Sequence, residues 1–268
     1  MQGLCALASG SKGNSYLVRS PKCNLLIDAG ISAKALIERL ETVGLHPSDL
    51  DGILVSHEHI DHIRALKTLS TRWSLPILCN IETAKGICAA FVGYSEFDFK
   101  IFTTRDPFHF FDLQITAFPI QHDALDPVAF KIETPQFHIG ICTDLGFFSP
   151  LTLEYLKGAH ALILESNHSP DLVWASKRSI TYKQRVLGRF GHLSNAQCVE
   201  MLKELYHPGL RHVILAHLSE ECNRPELAQE EAQKALQEIA NGCHETQLSI
   251  AKQDAALEFM LLDFAVQN

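Results

Sequence analysis

Short continuous apolar runs alternate with stretches of helical period along the whole chain, which reads as an α/β or α+β protein. Strands are predicted at 15–18, 24–28, 52–56, 76–79 and 113–118, then at 128–133 and 137–142, and finally at 160–165, 211–216, 247–250 and 257–261. Helices are predicted over 32–43, 60–70, 82–91, 150–157, 195–205 and 225–240. The last two carry clear signals. Ser194-Asn195 offers N-caps, and Pro225-Glu226 opens a run that sets Leu227, Ala228, Ala232, Leu236 and Ile239 on one face. No repeat or low-complexity linker breaks the pattern. A single domain over 1–268 is expected, with two pseudo-equivalent halves meeting near residue 120.

Composition narrows the class. Apolar runs such as Ala161-Leu162-Ile163-Leu164 are far too short to cross a bilayer, and Met1-Gln2-Gly3-Leu4-Cys5 lacks the basic and apolar regions of a signal peptide. The eight cysteines, at 5, 23, 79, 88, 142, 198, 222 and 243, form no Cys-x-x-Cys pair, and most sit in apolar surroundings. Buried free thiols in a reducing cytoplasm are expected, not a disulfide framework. The net charge of −8 does not suggest a general nucleic-acid binder. Residues 172–199 depart from it: they hold Lys177, Arg178, Lys183, Arg185, Arg189 and His192 and no Asp or Glu. Such a stretch suits an anionic substrate guided to one place, or is simply a solvated face.

Candidate chemistry is densest at Ser56-His57-Glu58-His59-Ile60-Asp61-His62, directly after the apolar run Gly52-Ile53-Leu54-Val55. Imidazole and carboxylate are ligands for Zn²⁺, Mn²⁺ and Fe²⁺. In an extended segment His57 and His59 point the same way and can grip one ion. If the chain then turns into a helix, Asp61 and His62 swing toward a second. Three further ligand types stand just past apolar strands: His122 after 115–120, Asp144 after 139–143 and His217 after 212–216. Asp144 can bridge two ions with its two oxygens. His109 rivals His122; the remaining histidines read as structural.

Together these residues resemble the metallo-β-lactamase fold. His57-x-His59-x-Asp61-His62, His122, Asp144 and His217 match its successive metal motifs in order, and Asp28, closing Leu25-Leu26-Ile27-Asp28-Ala29-Gly30, matches its early structural aspartate. The resemblance implies a four-layer αβ/βα sandwich with the metals at one edge between two sheets. Ala8-Ser9-Gly10-Ser11-Lys12-Gly13-Asn14-Ser15, Glu165-Ser166-Asn167-His168, Gly191-His192-Leu193-Ser194-Asn195 and His217-Leu218-Ser219 resemble, more closely, the YycJ/WalJ family, stand-alone proteins of this fold regarded as 5′-to-3′ DNA exonucleases. Ser169 stands where that pattern has an aspartate, and Cys222 where it has an asparagine. Both departures bear on substrate contacts more than on metal binding. In the similar tRNA 3′-processing enzymes a Glu–His pair outside the metal shell assists the leaving group, and Glu165 and His192 fall at matching positions. An imidazolium can protonate a leaving alkoxide while a carboxylate orients it. Alternatively, His192 only caps the helix that starts near 195.

The expectation is a dinuclear metal-dependent phosphodiesterase, by resemblance a 5′-to-3′ DNA exonuclease using a metal-activated hydroxide. His57, His59 and His122 hold one ion, Asp61, His62 and His217 the other, and Asp144 bridges. Asp61 also steers the nucleophile's proton, and His192, backed by Glu165, protonates the leaving oxygen. The glycine-rich loop brings Ser11 or Asn14 to a phosphate, His168 adds a substrate contact, and Lys183, Arg185 and Arg189 track the nucleic-acid backbone. The ions are two of Zn²⁺ or Mn²⁺, with Fe²⁺ admitted; no organic cofactor and no membrane is called for. Rival readings are an RNA-processing nuclease, a small-molecule hydrolase (thioesterase, lactonase or cyclic phosphodiesterase), and a metal-binding protein without turnover. The 22 residues from His122 to Asp144 and the 73 from Asp144 to His217 leave no room for a tRNA-binding arm or a β-CASP domain.

Overall fold

Strand runs apolar at every position, not at every second one, require burial on both faces. The computed structural model, which describes residues 2–242 and 244–262, meets that requirement with two sheets packed face to face and helices outside each. The first sheet contains β1 (Gly3–Ala8), β2 (Ser15–Arg19), β3 (Asn24–Ile27), β4 (Gly52–Leu54), β5 (Ile77–Cys79) and β6 (Phe99–Ile101) in that spatial order. The second contains β7 (Phe108–Phe110), β8 (Leu113–Pro119), β9 (Val128–Glu133), β10 (His138–Cys142), β11 (Ala161–Glu165), β12 (His212–Ala216) and β13 (Gln247–Ile250). A short β14 (Met260–Leu261) returns to pair antiparallel with β1.

Three hydrophobic clusters mark the three interfaces of four layers. Leu25 and Ile27 of β3, Leu54 of β4, Ile139 and Ile141 of β10, Ile163 of β11 and Ile214 of β12 meet between the sheets. Their chain neighbours point outward, because side chains alternate along a strand. Leu26 and Ile53 join Leu36 and Leu40 of α1 (Ala33–Thr42) and Leu66 and Leu69 of α3 (Leu66–Trp73). Leu162, Leu164, Val213 and Leu215 join Leu156 of α5 (Pro150–Leu156), Met201 and Leu202 of α8 (Asn195–Leu205) and Leu236 of α9 (Pro225–Ile239). The fold is the αβ/βα sandwich.

Four differences from the sequence expectation have physical causes. The helix expected over 60–70 is two, α2 (Ile60–Ile63) and α3. The backbone of Ala29 intervenes, accepting from Ala65 N and donating to the carbonyl of His62. The division between the sheets falls between β6 and β7, ahead of residue 120, because the β7–β8 hairpin belongs to the second sheet. The stretch 257–261 contributes only the two residues of β14. Residues 170–186 hold α6 (Pro170–Ala175) and α7 (Ile180–Val186), too short to show a helical period; α4 (Ile81–Ala90) completes the set. Of the thiols, Cys5, Cys23, Cys79, Cys142, Cys198 and Cys222 are buried and free, Cys88 is exposed, and Cys243 lies outside the described residues. Among the described residues no helix is long and apolar enough to cross a membrane.

The strand directions decide where chemistry collects. β10, β11 and β12 are parallel, β8 runs with them because both β8 and β10 are antiparallel to β9, and β3 is parallel to β4. The residues that follow these strands therefore gather at one edge of each sheet. Ile163 is fully buried between the layers, so Ile163→Ala is expected to destabilise the fold by about 2–5 kcal/mol in urea unfolding.

Candidate metal centre

Seven ligand-type side chains come together at this common edge. His57 and His59 follow β4, Asp61 and His62 open α2, His122 follows β8, Asp144 follows β10 and His217 follows β12. His59 stands at the N-cap of α2 with an extended backbone, so the chain turns into helix between His59 and Asp61. Their donor atoms fall into overlapping groups: His57 with His59 and His122, Asp61 with His62 and His217, and Asp144 with His57 and His62. His57 Nε2 lies 3.1 Å from His59 Nδ1. Asp144 sits between the groups. Its Oδ1 is 3.4 Å from His217 Nε2 and 3.8 Å from His122 Nε2, and its Oδ2 is 3.3 Å from His62 Nε2. His109 is on β7, away from this edge.

Several of the rings are aimed by a partner behind them. Asp28 receives the Ser56 N–H and hydroxyl on its two oxygens, each at 2.8 Å, and its Oδ2 lies 2.8 Å from His62 Nδ1. With Nδ1 occupied, His62 turns Nε2 inward. Glu165 Oε1 lies 2.8 Å from both His217 Nδ1 and His192 Nδ1, while Oε2 accepts the N–H groups of Leu145 at 2.9 Å and Leu193 at 3.0 Å. The expected Glu165–His192 pair is thus joined by a candidate ligand, His217, that shares the same oxygen. Asp28, Asp144 and His217 all adopt positive φ (56°, 60° and 55°), the left-handed region that costs a side-chain-bearing residue about 1–3 kcal/mol. Each turns the chain sharply at a strand end and throws its side chain into the centre.

Electrostatics sharpen the picture. Burial pushes the Glu165 carboxyl up, but the imidazoles of His192 and His217 outweigh it and hold the group at about 2. Asp61 is likewise held at about 2, burial being overcome by His62 and His217. Burial lowers His217, yet Asp144, Asp61 and Glu165 raise it to about 10. His57 is driven well below its ordinary value by burial and by the neighbouring imidazoles. The carboxylates therefore demand positive charge in a space shared with a neutral ring. Among the described residues, Asp144 Oδ2 and His217 Nε2 are buried and make no hydrogen bond. Buried polar atoms left without hydrogen bonds amid imidazole nitrogens and carboxylate oxygens fit divalent cations.

A cleft of about 240 Å³ opens over this group, lined also by Ser11, Arg64, Tyr182, Arg185 and His192. The expected substrate contacts divide. Ser11 and Arg185 line the cleft, Arg185 doubly bonded to Asp123 at 2.5 and 3.0 Å. Asn14 is buried instead; its side chain bonds Gly10 O and reaches His62 Nε2 at 3.1 Å, because this end of the 8–15 loop packs against the metal motif, while Ser11 and Lys12 at its tip stay exposed. Its backbone N–H donates to Asp61 O, and Gly30 faces the same carbonyl so closely that a Cβ there would lie 1.5 Å from it. His168 is also buried, paired through its backbone with Ser194, and burial lowers it to about 4. Lys183 and Arg189 do not line the cleft: Lys183 donates to Trp174 O and Arg189 lies over Phe147. Sequence reasoning missed Arg64, Tyr182 and Asp123, of which only Asp123 carried a signal, its adjacency to His122. It also missed the buried Asn167 behind His217, whose Nδ2 donates to His217 O at 2.7 Å.

The profile of the β-lactamase superfamily domain matches residues 23–218. Exodeoxyribonuclease YycJ of Bacillus anthracis is 33% identical over 240 residues, 89% of this chain and 90% of that protein. Exodeoxyribonuclease WalJ of Streptococcus pneumoniae is 32% identical over 224 residues, 83% of each chain. Among solved structures, the metallo-β-lactamase fold protein YhfI of Bacillus subtilis shares the fold at a TM-score of 0.72 and 18% identity, over 96% of this chain and 100% of its own.

Two outcomes are expected of the centre. Asp28→Ala frees His62 and Ser56 from their anchor and is expected to weaken Zn²⁺ or Mn²⁺ binding about 10–100-fold in calorimetric titration. Adding such a cation at a hundred times its Kd is expected to stabilise the fold by about 2.7 kcal/mol, reversed by chelator, in thermal unfolding.

Proposed function

The chain belongs to the β-lactamase superfamily and, within it, to the family of the YycJ and WalJ exodeoxyribonucleases, and on that premise we propose that it is a two-metal 5′-to-3′ DNA exonuclease. The observation that carries this reading beyond a metal-dependent hydrolase is the Glu165–His192 contact at 2.8 Å on the wall of the cleft. A closed structural metal site has no use for a proton donor beside it.

His57, His59 and His122 would hold one ion and Asp61, His62 and His217 the other, with Asp144 offering an oxygen to each. Bound divalent cations supply an acidified water and offset charge on the non-bridging phosphate oxygens. Asp61 is ionised and partly open to the cleft, placed to take a proton from the attacking water. His192 has Nδ1 directed at Glu165, which leaves Nε2 to protonate the departing oxygen. Ser11 and Arg185 at the rim meet phosphate oxygens, Arg185 by exchanging Asp123 for substrate.

DNA as substrate is supported by the relatives' names. It is supported also by the lack, among the described residues, of any inserted arm or domain between His122 and Asp144 or between Asp144 and His217. The free thiols agree with a reducing cytoplasm.

The test is hydrolysis of 5′-labelled and 3′-labelled DNA and RNA with added Mn²⁺ or Zn²⁺. Mononucleotide release from 5′ ends of DNA is expected, abolished in His59→Ala and slowed about 10²–10⁴-fold in kcat in His192→Ala. Cleavage of RNA in preference to DNA, or none of either by the metal-loaded protein, would overturn the reading.

A further inference from the structure

Three cations at or beside the cleft are each held by a carboxylate. Arg185 is doubly bonded to Asp123, Lys12 at the tip of the glycine-rich loop lies 2.6 Å from Glu220, and Arg178, stacked over Tyr182, lies 2.6 Å from Glu221. Arg64 differs. It lines the cleft and is exposed, and among the described residues its guanidinium makes no ion pair, hydrogen bond or ring contact. A guanidinium stays charged at every working pH, and its planar fork offers paired donors to a phosphate. Arg64 can meet such a ligand without first giving up a partner.

The metal motif itself sets where Arg64 stands. It is the C-cap of α2, its N–H bonded to Ile60 O, so it follows Ile60 by four residues and Asp61 by three and shares their side of this single turn. All three line the cleft. The next residue, Ala65, donates to Ala29 O, which fixes the backbone that carries the free side chain. His192 reaches the same centre from the second sheet's helical side, its ring 5.2 Å from that of His122 and 5.0 Å from that of His217.

These positions divide the substrate. Release of a 5′-terminal nucleotide breaks the bond between phosphorus and the O3′ of that nucleotide. The oxygen of water bonds to phosphorus, Asp61 takes its proton, and O3′ departs with a proton from His192. The departing nucleotide therefore lies on the His192 side. The retained strand leads away from phosphorus through O5′, and the next phosphate along it needs a cation of its own. We propose that Arg64 binds this neighbouring phosphate of the retained strand, and so acts as a specificity-determining residue that favours a polynucleotide over a lone phosphodiester. The inference deepens the nuclease reading above and rests on it.

The test compares nucleotide release from 5′-labelled DNA with hydrolysis of bis(p-nitrophenyl) phosphate, a diester that has no second phosphate, both in the presence of Mn²⁺. Arg64→Ala is expected to lower kcat/KM on DNA roughly ten- to a hundredfold relative to that on the small diester, mainly through KM, and Arg64→Lys to restore part of the loss. A neutral methylphosphonate at the second linkage from the 5′ end removes the charge that Arg64 meets. It is expected to slow the wild-type protein and to slow Arg64→Ala no further. No loss on DNA in Arg64→Ala, an equal loss on both substrates, or a methylphosphonate that slows both proteins alike would overturn the role of Arg64 alone. Wild-type protein that hydrolyses the small diester but releases no nucleotide from DNA would overturn the nuclease reading with it.

Discussion

Carboxylates withdrawn from water must be matched by positive charge on the spot, and the centre is organised around that constraint. Asp28, Asp144 and Glu165 are buried and Asp61 nearly so, all within reach of imidazoles. The protein's own answer is to raise His62 and His217 far above their ordinary values while leaving His57 and His122 low. An assembly that supplies acceptors and then leaves Asp144 Oδ2 without a hydrogen bond among the described residues suits cations from outside. The backbone is bent to the same end. Asp28, Asp144 and His217 hold left-handed conformations, and two fully buried layers of strand and helix hold them there.

Much of this was legible in the sequence because it is local. The run His57 to His62 writes four donors into six residues, and the strands announce themselves because apolar runs such as Ala161–Glu165 are buried on both faces. The candidate ligands at 122, 144 and 217 stand out as polar residues at strand ends, a position that recurs because the strands concerned run in one direction. What the sequence hid depends on long-range packing. Asn14 and His168 carry the same chemical groups whether they face substrate or the interior, and only the close approach of Gly30 to Asp61 and the bridge from His168 to Ser194 decide it. β1 escaped notice because Gly3–Ala8 is small and mixed in character; its burial comes from pairing with β2 and β14. The short helices α6 and α7 gave no period to read, so the cations there looked like one patch when two are tied to carboxylates and one to a carbonyl.

The sandwich itself explains where catalysis can occur but not which. Strands of both sheets end at the same edge, which gives many chemistries the same platform. Beside the centre stands the wall formed by α7 and the 187–193 loop. It places His192 beside the centre and Arg185 at its rim.

Glu165 gives one oxygen to two histidines, and that economy has an evolutionary consequence. Removing the carboxylate would unseat His217 and His192 together, so on the proposed roles metal retention and proton delivery would not drift apart through that position. A descendant that kept its cations but abandoned turnover would have to lose His192 and keep Glu165. Inactive branches of this lineage would thus be recognisable by which member of the pair decays first, the partly buried imidazole and not the fully buried acid.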